Sequence, residues 1–186
     1  MLNHYQTSWK LDPVWCPCDL HFLQFLEAEG IRDASIFHFG TGEHHHVGVG
    51  CAESGKNNSV LGITASREEY AAYVDLVIAR PKVARFYTAY FGDIYLLNEA
   101  LLPTFDVVTL FHLCEFRTAQ NEEYGALTDL EVAQLLVRRL RSGGLMLFYM
   151  RSAAFFLAHP VIEEMQALAL IEPAGSYETL LLYRKL

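Results

Sequence analysis

Residues 37–48 read Phe-His-Phe-Gly-Thr-Gly-Glu-His-His-His-Val-Gly, and the reading of this stretch decides the fold. An apolar run over 36–39 stops at Gly40, the pattern of a short buried strand. Gly40-Thr41-Gly42 then permits a tight turn and a close backbone approach to a ligand. A helix expected from about residue 43 to 53 would aim its free N–H groups at that turn. A lone G-x-G occurs in many tight turns; its place between a first strand and a helix gives it weight.

The same alternation continues outward. Upstream, Asp19 is expected to cap a helix running to Glu29, with Gly30 as its stop. Downstream, 60–63 reads as a second strand, and Ser66 with Glu69 forms a capping-box pattern for a helix over 67–79. Strands follow over 83–91 and 105–111. Thr128 with Glu131 opens a helix to Arg141, Ser142-Gly143-Gly144 stops it, and 145–150 is the fifth strand. Pro160 suits the first turn of a helix over 161–170, and 178–183 makes a late strand. Short apolar strands between amphipathic helices imply an α/β fold: one Rossmann-like, doubly wound, mostly parallel sheet with a late antiparallel strand and helices on both faces. Its ligand belongs at the carboxyl ends of the strands, near the switch in strand order. No repeat or linker divides the 186 residues, so 1–186 reads as one domain, with 1–19 as an N-terminal cap or lid. Tyr5, Trp9 and Trp15 are its aromatics, expected either to lid the pocket or to cover the sheet edge.

Composition narrows the partners. Hydrophobic residues make up 52% and charged residues 19%, which excludes a disordered chain. A net charge of -8 without a Lys/Arg run opposes nucleic-acid binding. The apolar runs are too short to span a bilayer, and the first residues lack a secretory pattern, so a cytoplasmic protein is expected. Cys16, Cys18, Cys51 and Cys114 read as reduced, mostly buried thiols. The spacing Cys16-Pro17-Cys18 is too tight for a zinc knuckle, and no metal site is assigned there. His112 and Cys114, as alternate residues beyond the fourth strand, would share a face; with one of His44–His46 they are the one His/Cys set considered for an ion. Set against it is plain packing of the histidines around the glycine turn.

The order of segments resembles the class I S-adenosylmethionine-dependent methyltransferases over roughly residues 20–186. Phe37–Gly42 resembles the first-strand glycine motif, VLGIT ending at Thr64 the second strand, and Gly92-Asp93 the acidic motif after the third. FDVVTLFHLCEF from Phe105 resembles the fourth-strand motif, RSGGLMLFY from Arg141 the helix stop and fifth strand, and the segments around Leu170 and Leu180 the final antiparallel hairpin. The resemblance implies S-adenosylmethionine as cofactor, bound by His38, Gly40, Thr41, Gly42, His44, Thr64, Ala65, Asp93, Ile94 and Phe111. It implies methyl transfer to a small-molecule acceptor, for which His112, beyond the fourth strand, is the candidate base, set against a packing role, and Glu115 a candidate acceptor for a substrate amine, set against a solvated loop acid; a second copy of the chain is a candidate partner under a non-catalytic reading of the fold.

The chain departs from the family pattern at three places. His38 stands two residues before the first glycine where an acid is usual, His44 replaces a third glycine, and Thr64 replaces the acid that grips the ribose hydroxyls. Glu43 and Glu68 are the acids considered as substitutes, and Thr64→Asp is expected to tighten the cofactor. Two other readings remain open at this level. One is a non-catalytic module on the same fold, binding a metabolite or a metal through His/Cys. The other is a nicotinamide oxidoreductase whose Thr64-Ala65-Ser66-Arg67 turn receives a 2′-phosphate.

Overall fold

A computed structural model describes residues 7–186; Tyr5 lies outside the described residues. The strands are β1 (Ser35–Phe39), β2 (Ser59–Thr64), β3 (Tyr87–Phe91), β4 (Phe105–Thr109), β5 (Leu140–Tyr149), β6 (Ile171–Tyr177) and β7 (Leu180–Lys185). The helices are α1 (Cys18–Ala28), α2 (His46–Glu53), α3 (Arg67–Ala79), α4 (Ala119–Glu123), α5 (Asp129–Arg139) and α6 (Phe155–Ala167). The strands form one sheet in the order β3-β2-β1-β4-β5-β7-β6. The first five pair in parallel, β7 runs antiparallel to β5, and β6 antiparallel to β7. This is the expected Rossmann-like sheet, its late antiparallel part being a two-strand hairpin.

Strand alternation divides the core in two. Phe37 and Phe39 of β1 face one cluster with Phe105, Phe148 and the apolar sides of α5 and α6. Ile36 faces the other, with Phe22 and Phe25 of α1, Val47 of α2, and Tyr87. Each face of a buried strand thus needs its own helical cover, which is why the strands read as apolar runs rather than alternating ones. The chain crosses from one face to the other between β1 and β4, whose neighbouring ends therefore open a crevice. Among the described residues, no helix is long and apolar enough to cross a membrane.

Several boundaries differ from the sequence reading. Pro17, not Asp19, precedes α1, and Asp19 lies buried in its first turn. His45 adopts a left-handed φ of 47°, so α2 starts only at His46 and the three histidines do not share a helix. Residues Val83–Arg85 form a short 3-10 turn before β3. β4 ends at Thr109, which leaves His112 and Cys114 in a turn rather than on a strand. β5 starts at Leu140 and carries the two glycines inside it, with its register shifting against β4 between Phe105 and Val107. Pro160 is inside α6, not at its start, because the apolar segment from Phe155 is already helical. Both capping residues hold: Ser66 Oγ and Thr128 Oγ1 accept from the N–H groups of Glu69 and Glu131.

Leu136 of α5 is fully buried in the first cluster, whereas Ile78 of α3 is 71% exposed. Leu136→Ala should cost about 2–5 kcal/mol in urea unfolding, and Ile78→Ala no more than about 0.5 kcal/mol. Equal costs would contradict this assignment of the core.

Candidate functional site

A cavity of about 870 Å³, its open mouth included, lies at the carboxyl ends of β1, β2, β3 and β4. Of the residues expected at the cofactor, Gly40, Gly42, His44, Thr64, Ala65, Asp93 and Ile94 line it, as do His112 and Glu115. Gly40 and Gly42 adopt left-handed φ values of 89° and 55°. A Cβ on Gly40 would lie 2.7 Å from the His112 ring, and one on Gly42 would lie 2.9 Å from the Trp9 carbonyl and nearer still to His44. The turn therefore needs glycine both for its conformation and for close packing.

Three expected residues do not reach the lining. His38 lies beneath the cavity, its Nδ1 paired with Thr109 Oγ1 at 2.8 Å. Thr41 is buried and its hydroxyl donates to Glu69 at 3.4 Å. Phe111 turns into the core against Phe22, at 5.8 Å between ring centres, because the chain leaves β4 two residues earlier than expected.

The acid at the end of β2 comes from a residue the sequence reading assigned to a cap. Glu69, 3% exposed, does not return to the Ser66 backbone as a capping box would have it. Its Oε2 accepts from Thr64 Oγ1 at 2.5 Å and from Thr41 Oγ1, while Oε1 accepts from the Trp9 N–H at 3.3 Å. Glu43 instead accepts from Ser8 Oγ, and Glu68 is not in the lining. Burial raises the Glu69 carboxyl above its ordinary range, against the opposing pull of its hydrogen bonds. The signal available in the sequence was a second glutamate following a strand that ends in threonine.

Asp93 keeps its acid, with both oxygens engaged. Oδ1 accepts from the Tyr95 N–H, and Oδ2 accepts from Asn121 Nδ2 at 2.9 Å and Tyr124 Oη at 2.6 Å. The carboxylate thereby ties the turn after β3 to α4.

The histidines separate into different roles. His45 is structural, bonded to Tyr87 Oη at 2.7 Å and to the Glu69 carbonyl at 2.8 Å. His38 Nε2 and His44 Nδ1 approach the two oxygens of buried Asp19, at 3.7 and 3.8 Å. His112 Nδ1 meets Glu115 Oε2 at 3.1 Å, and Glu115 Oε1 accepts from Ser152 Oγ at 2.5 Å, so the imidazole is held by a fixed carboxylate. Burial pulls the His112 pKa down, but Glu115, Cys16 and Asp19 together hold it above its usual value. Cys114 turns away: its N–H donates to Asp129, and its φ is left-handed at 68°. The candidate grouping of His112, Cys114 and one of His44–His46, the alternative to plain packing, is not assembled among the described residues. Cys16 and Cys18 come to His112 instead.

The N-terminal segment roofs part of the cavity. The Trp9 carbonyl accepts from the Glu43 N–H at 2.9 Å, and the Thr7 carbonyl accepts from Ser66 Oγ at 2.8 Å. Trp9 packs edge-on to Phe116 with ring centres 5.5 Å apart, whereas Trp15 is 78% exposed and does not close the pocket.

No protein-family model matches the chain, and no curated relative does. Solved structures do. The N-methyltransferase NodS from Bradyrhizobium japonicum, in complex with S-adenosyl-L-homocysteine, superposes with a TM-score of 0.64 at 13% identity, over 95% of this chain and 91% of that one. Magnesium protoporphyrin IX methyltransferase from Synechocystis, with bound S-adenosylmethionine, gives 0.63 at 13% identity, over 91% and 79%. The [4+2]-cyclase SpnF gives 0.60 at 17% identity, over 92% and 64%. The chain has the fold of the class I S-adenosylmethionine-dependent methyltransferases. The cyclase among these neighbours shows that the fold alone does not fix the reaction.

Burial holds His38 neutral in the native state, its pKa lowered from 6.5 to about 3. The unfolded chain therefore takes up a proton below about pH 6.5 that the native chain refuses until about pH 3, and stability falls as pH drops through that window. Asp19 acts oppositely: burial raises its pKa from 3.8 to about 7, so its contribution is full below 3.8 and is lost as pH rises to 7. His38→Gln, which cannot titrate, should flatten the acid-side loss in urea midpoint between pH 6.5 and 4. An unchanged slope would show that His38 is already charged in the native protein.

Proposed function

We propose that the protein is an S-adenosylmethionine-dependent methyltransferase acting on a small molecule. The observation that carries this reading is the Glu69 carboxylate, held on Thr64 at the end of β2, in the lining of the strand-end cavity of a methyltransferase fold. The family pattern puts an acid at that strand end to accept the two ribose hydroxyls. This chain supplies the charge from the first turn of α3 instead. The Glu69 carboxylate has about four lone-pair sites and already accepts from Thr64, Thr41 and the Trp9 N–H, so one ribose hydroxyl can take the free site on Oε1 and the second must displace the Thr41 or Trp9 contact.

The residues fit the cofactor at this end: Ile63 and Ile94 offer apolar walls beside Glu69, and Ala65 leaves space next to Thr64. When bound, the cofactor supplies an electrophilic sulfonium methyl group. The chain's own part is to hold donor and acceptor in line and to keep water out. Trp9 and Phe116 form an apolar side of the mouth suited to that exclusion. The Trp9 carbonyl and the His44 ring fill the space over Gly42 where the backbone would approach a cofactor, which favours the second reading, a non-catalytic module on this fold that has lost its cofactor.

Titration calorimetry with S-adenosylhomocysteine separates the two. Wild type should bind, and Glu69→Gln should lose about 1.5–3 kcal/mol, the contribution of hydrogen bonds to a charged acceptor. Thr64→Asp should weaken binding rather than tighten it, because a second carboxylate would lie against Glu69 and one of the two would be neutralised. Absence of binding by wild type would leave the module reading. Wild-type affinity in Glu69→Gln would remove Glu69 from the site.

A further inference from the structure

We propose that Cys16, Cys18 and His112 form a binding site for a thiophilic first-row transition ion of the zinc type, with a coordination position open to the cavity. One donor atom from each of the three side chains lies within 4.8 Å of the other two, and all three residues line the cavity. The two sulfurs are 3.6 Å apart. Two thiolates at about 2.3 Å from a tetrahedral zinc ion stand about 3.8 Å apart, so the pair already spans such an edge. A disulfide would require them to close to about 2.0 Å.

The three positions are built by separate local devices. Asp12 Oδ1 accepts from the N–H groups of Val14 and Trp15, and the Cys16 N–H donates to the Asp12 carbonyl at 2.9 Å, which fixes the turn carrying Cys16. Pro17 stands at the N-cap position of α1, so Cys18 is its first residue. His112 arrives from the turn after β4, its ring fixed through Nδ1 by Glu115. A carboxylate behind one imidazole nitrogen is the usual support for a histidine that ligates through the other. Three protein ligands with a fourth position open is the composition of a catalytic rather than a structural zinc site.

Asp19 and His38 give a second, independent indication. Asp19 is 4% exposed, and its Oδ1 lies 3.7 Å from Cys18 Sγ. Its ion-pair contacts among the described residues are the two histidines, not a Lys or Arg. His38 Nε2, fully buried and aimed at the same oxygen, has no hydrogen-bond partner among the described residues. A cation held beside Cys18 would place positive charge next to this buried carboxylate. With an ion bound, His112 serves as its ligand rather than as a base.

The inference does not depend on the cofactor. The test uses the full chain, reduced and stripped with a chelator, then titrated anaerobically with Co²⁺ alone. One equivalent should produce a near-ultraviolet sulfur-to-cobalt charge-transfer band with tetrahedral visible bands, and Zn²⁺ should abolish both. Cys16→Ser and Cys18→Ser should each remove about half of the charge-transfer intensity. His112→Gln should keep that band while changing the visible spectrum and lowering the affinity at least tenfold. Cys114→Ser should match wild type. A wild-type protein that gives no charge-transfer band overturns the proposal, as does an equal loss in Cys114→Ser. So does mild oxidation to a Cys16–Cys18 disulfide in a protein that binds no cobalt when reduced. Each of these outcomes leaves the calorimetry on Glu69 standing or falling by itself.

Discussion

The buried carboxylate of Glu69 is the constraint on which the rest of the site depends. It joins α3 to the end of β2 through Thr64, to the glycine turn through Thr41, and to the N-terminal segment through the Trp9 N–H. Removing a carboxylate from water costs several kcal/mol even in a relaxed protein. Two hydroxyls and one backbone N–H offset part of that cost, without a Lys or Arg contributing. A charge kept in such a place is poor as a source of stability and well suited to a ligand with hydroxyl groups to offer. It also explains how threonine can end β2: the hydroxyl orients an acid that reaches over from the neighbouring helix.

A second carboxylate, Asp19, organises another part of the cavity lining. It sits in the first turn of α1, below the glycine turn, and draws His38, His44 and Cys18 around it. The switch in strand order brings His112 from the β4 end to this same place. Both acids are buried, and both stand where the parallel sheet opens its crevice. The cavity lining therefore holds two donor sets, the oxygens of Glu69 and the sulfur and nitrogen atoms of Cys16, Cys18 and His112. The first chemistry suits ribose hydroxyls and the second a soft metal ion.

The fold was legible in the sequence because buried parallel strands are apolar on both faces. The runs ending at Phe39 and Thr64 could therefore be found without knowing their partners. Boundaries were less legible where local and tertiary signals disagree. Ser142-Gly143-Gly144 looks like a helix stop, yet it lies inside β5 as the irregular stretch between Leu140, paired with Phe105, and Leu145, paired with Val107. Pro160 looks like a helix start, yet the apolar turn before it is helical. In the site, the glycine turn, Thr64, Asp93 and His112 were visible as strand-end residues. Glu69 was hidden because S-x-x-E reads equally as a capping box, and only the tertiary fold turns its side chain inward. The pairing of Cys16 and Cys18 with His112 was hidden because it joins the two ends of a crossover far apart in the chain.

A crystal structure of the protein grown with S-adenosylhomocysteine tests the central claim most directly. The account predicts both ribose hydroxyls within hydrogen-bond distance of the Glu69 carboxylate, with Thr64 still donating to it. A ribose bound away from Glu69, or a Glu69 carboxylate that keeps only its contacts to Thr64, Thr41 and Trp9 while the ligand lies elsewhere, would contradict it.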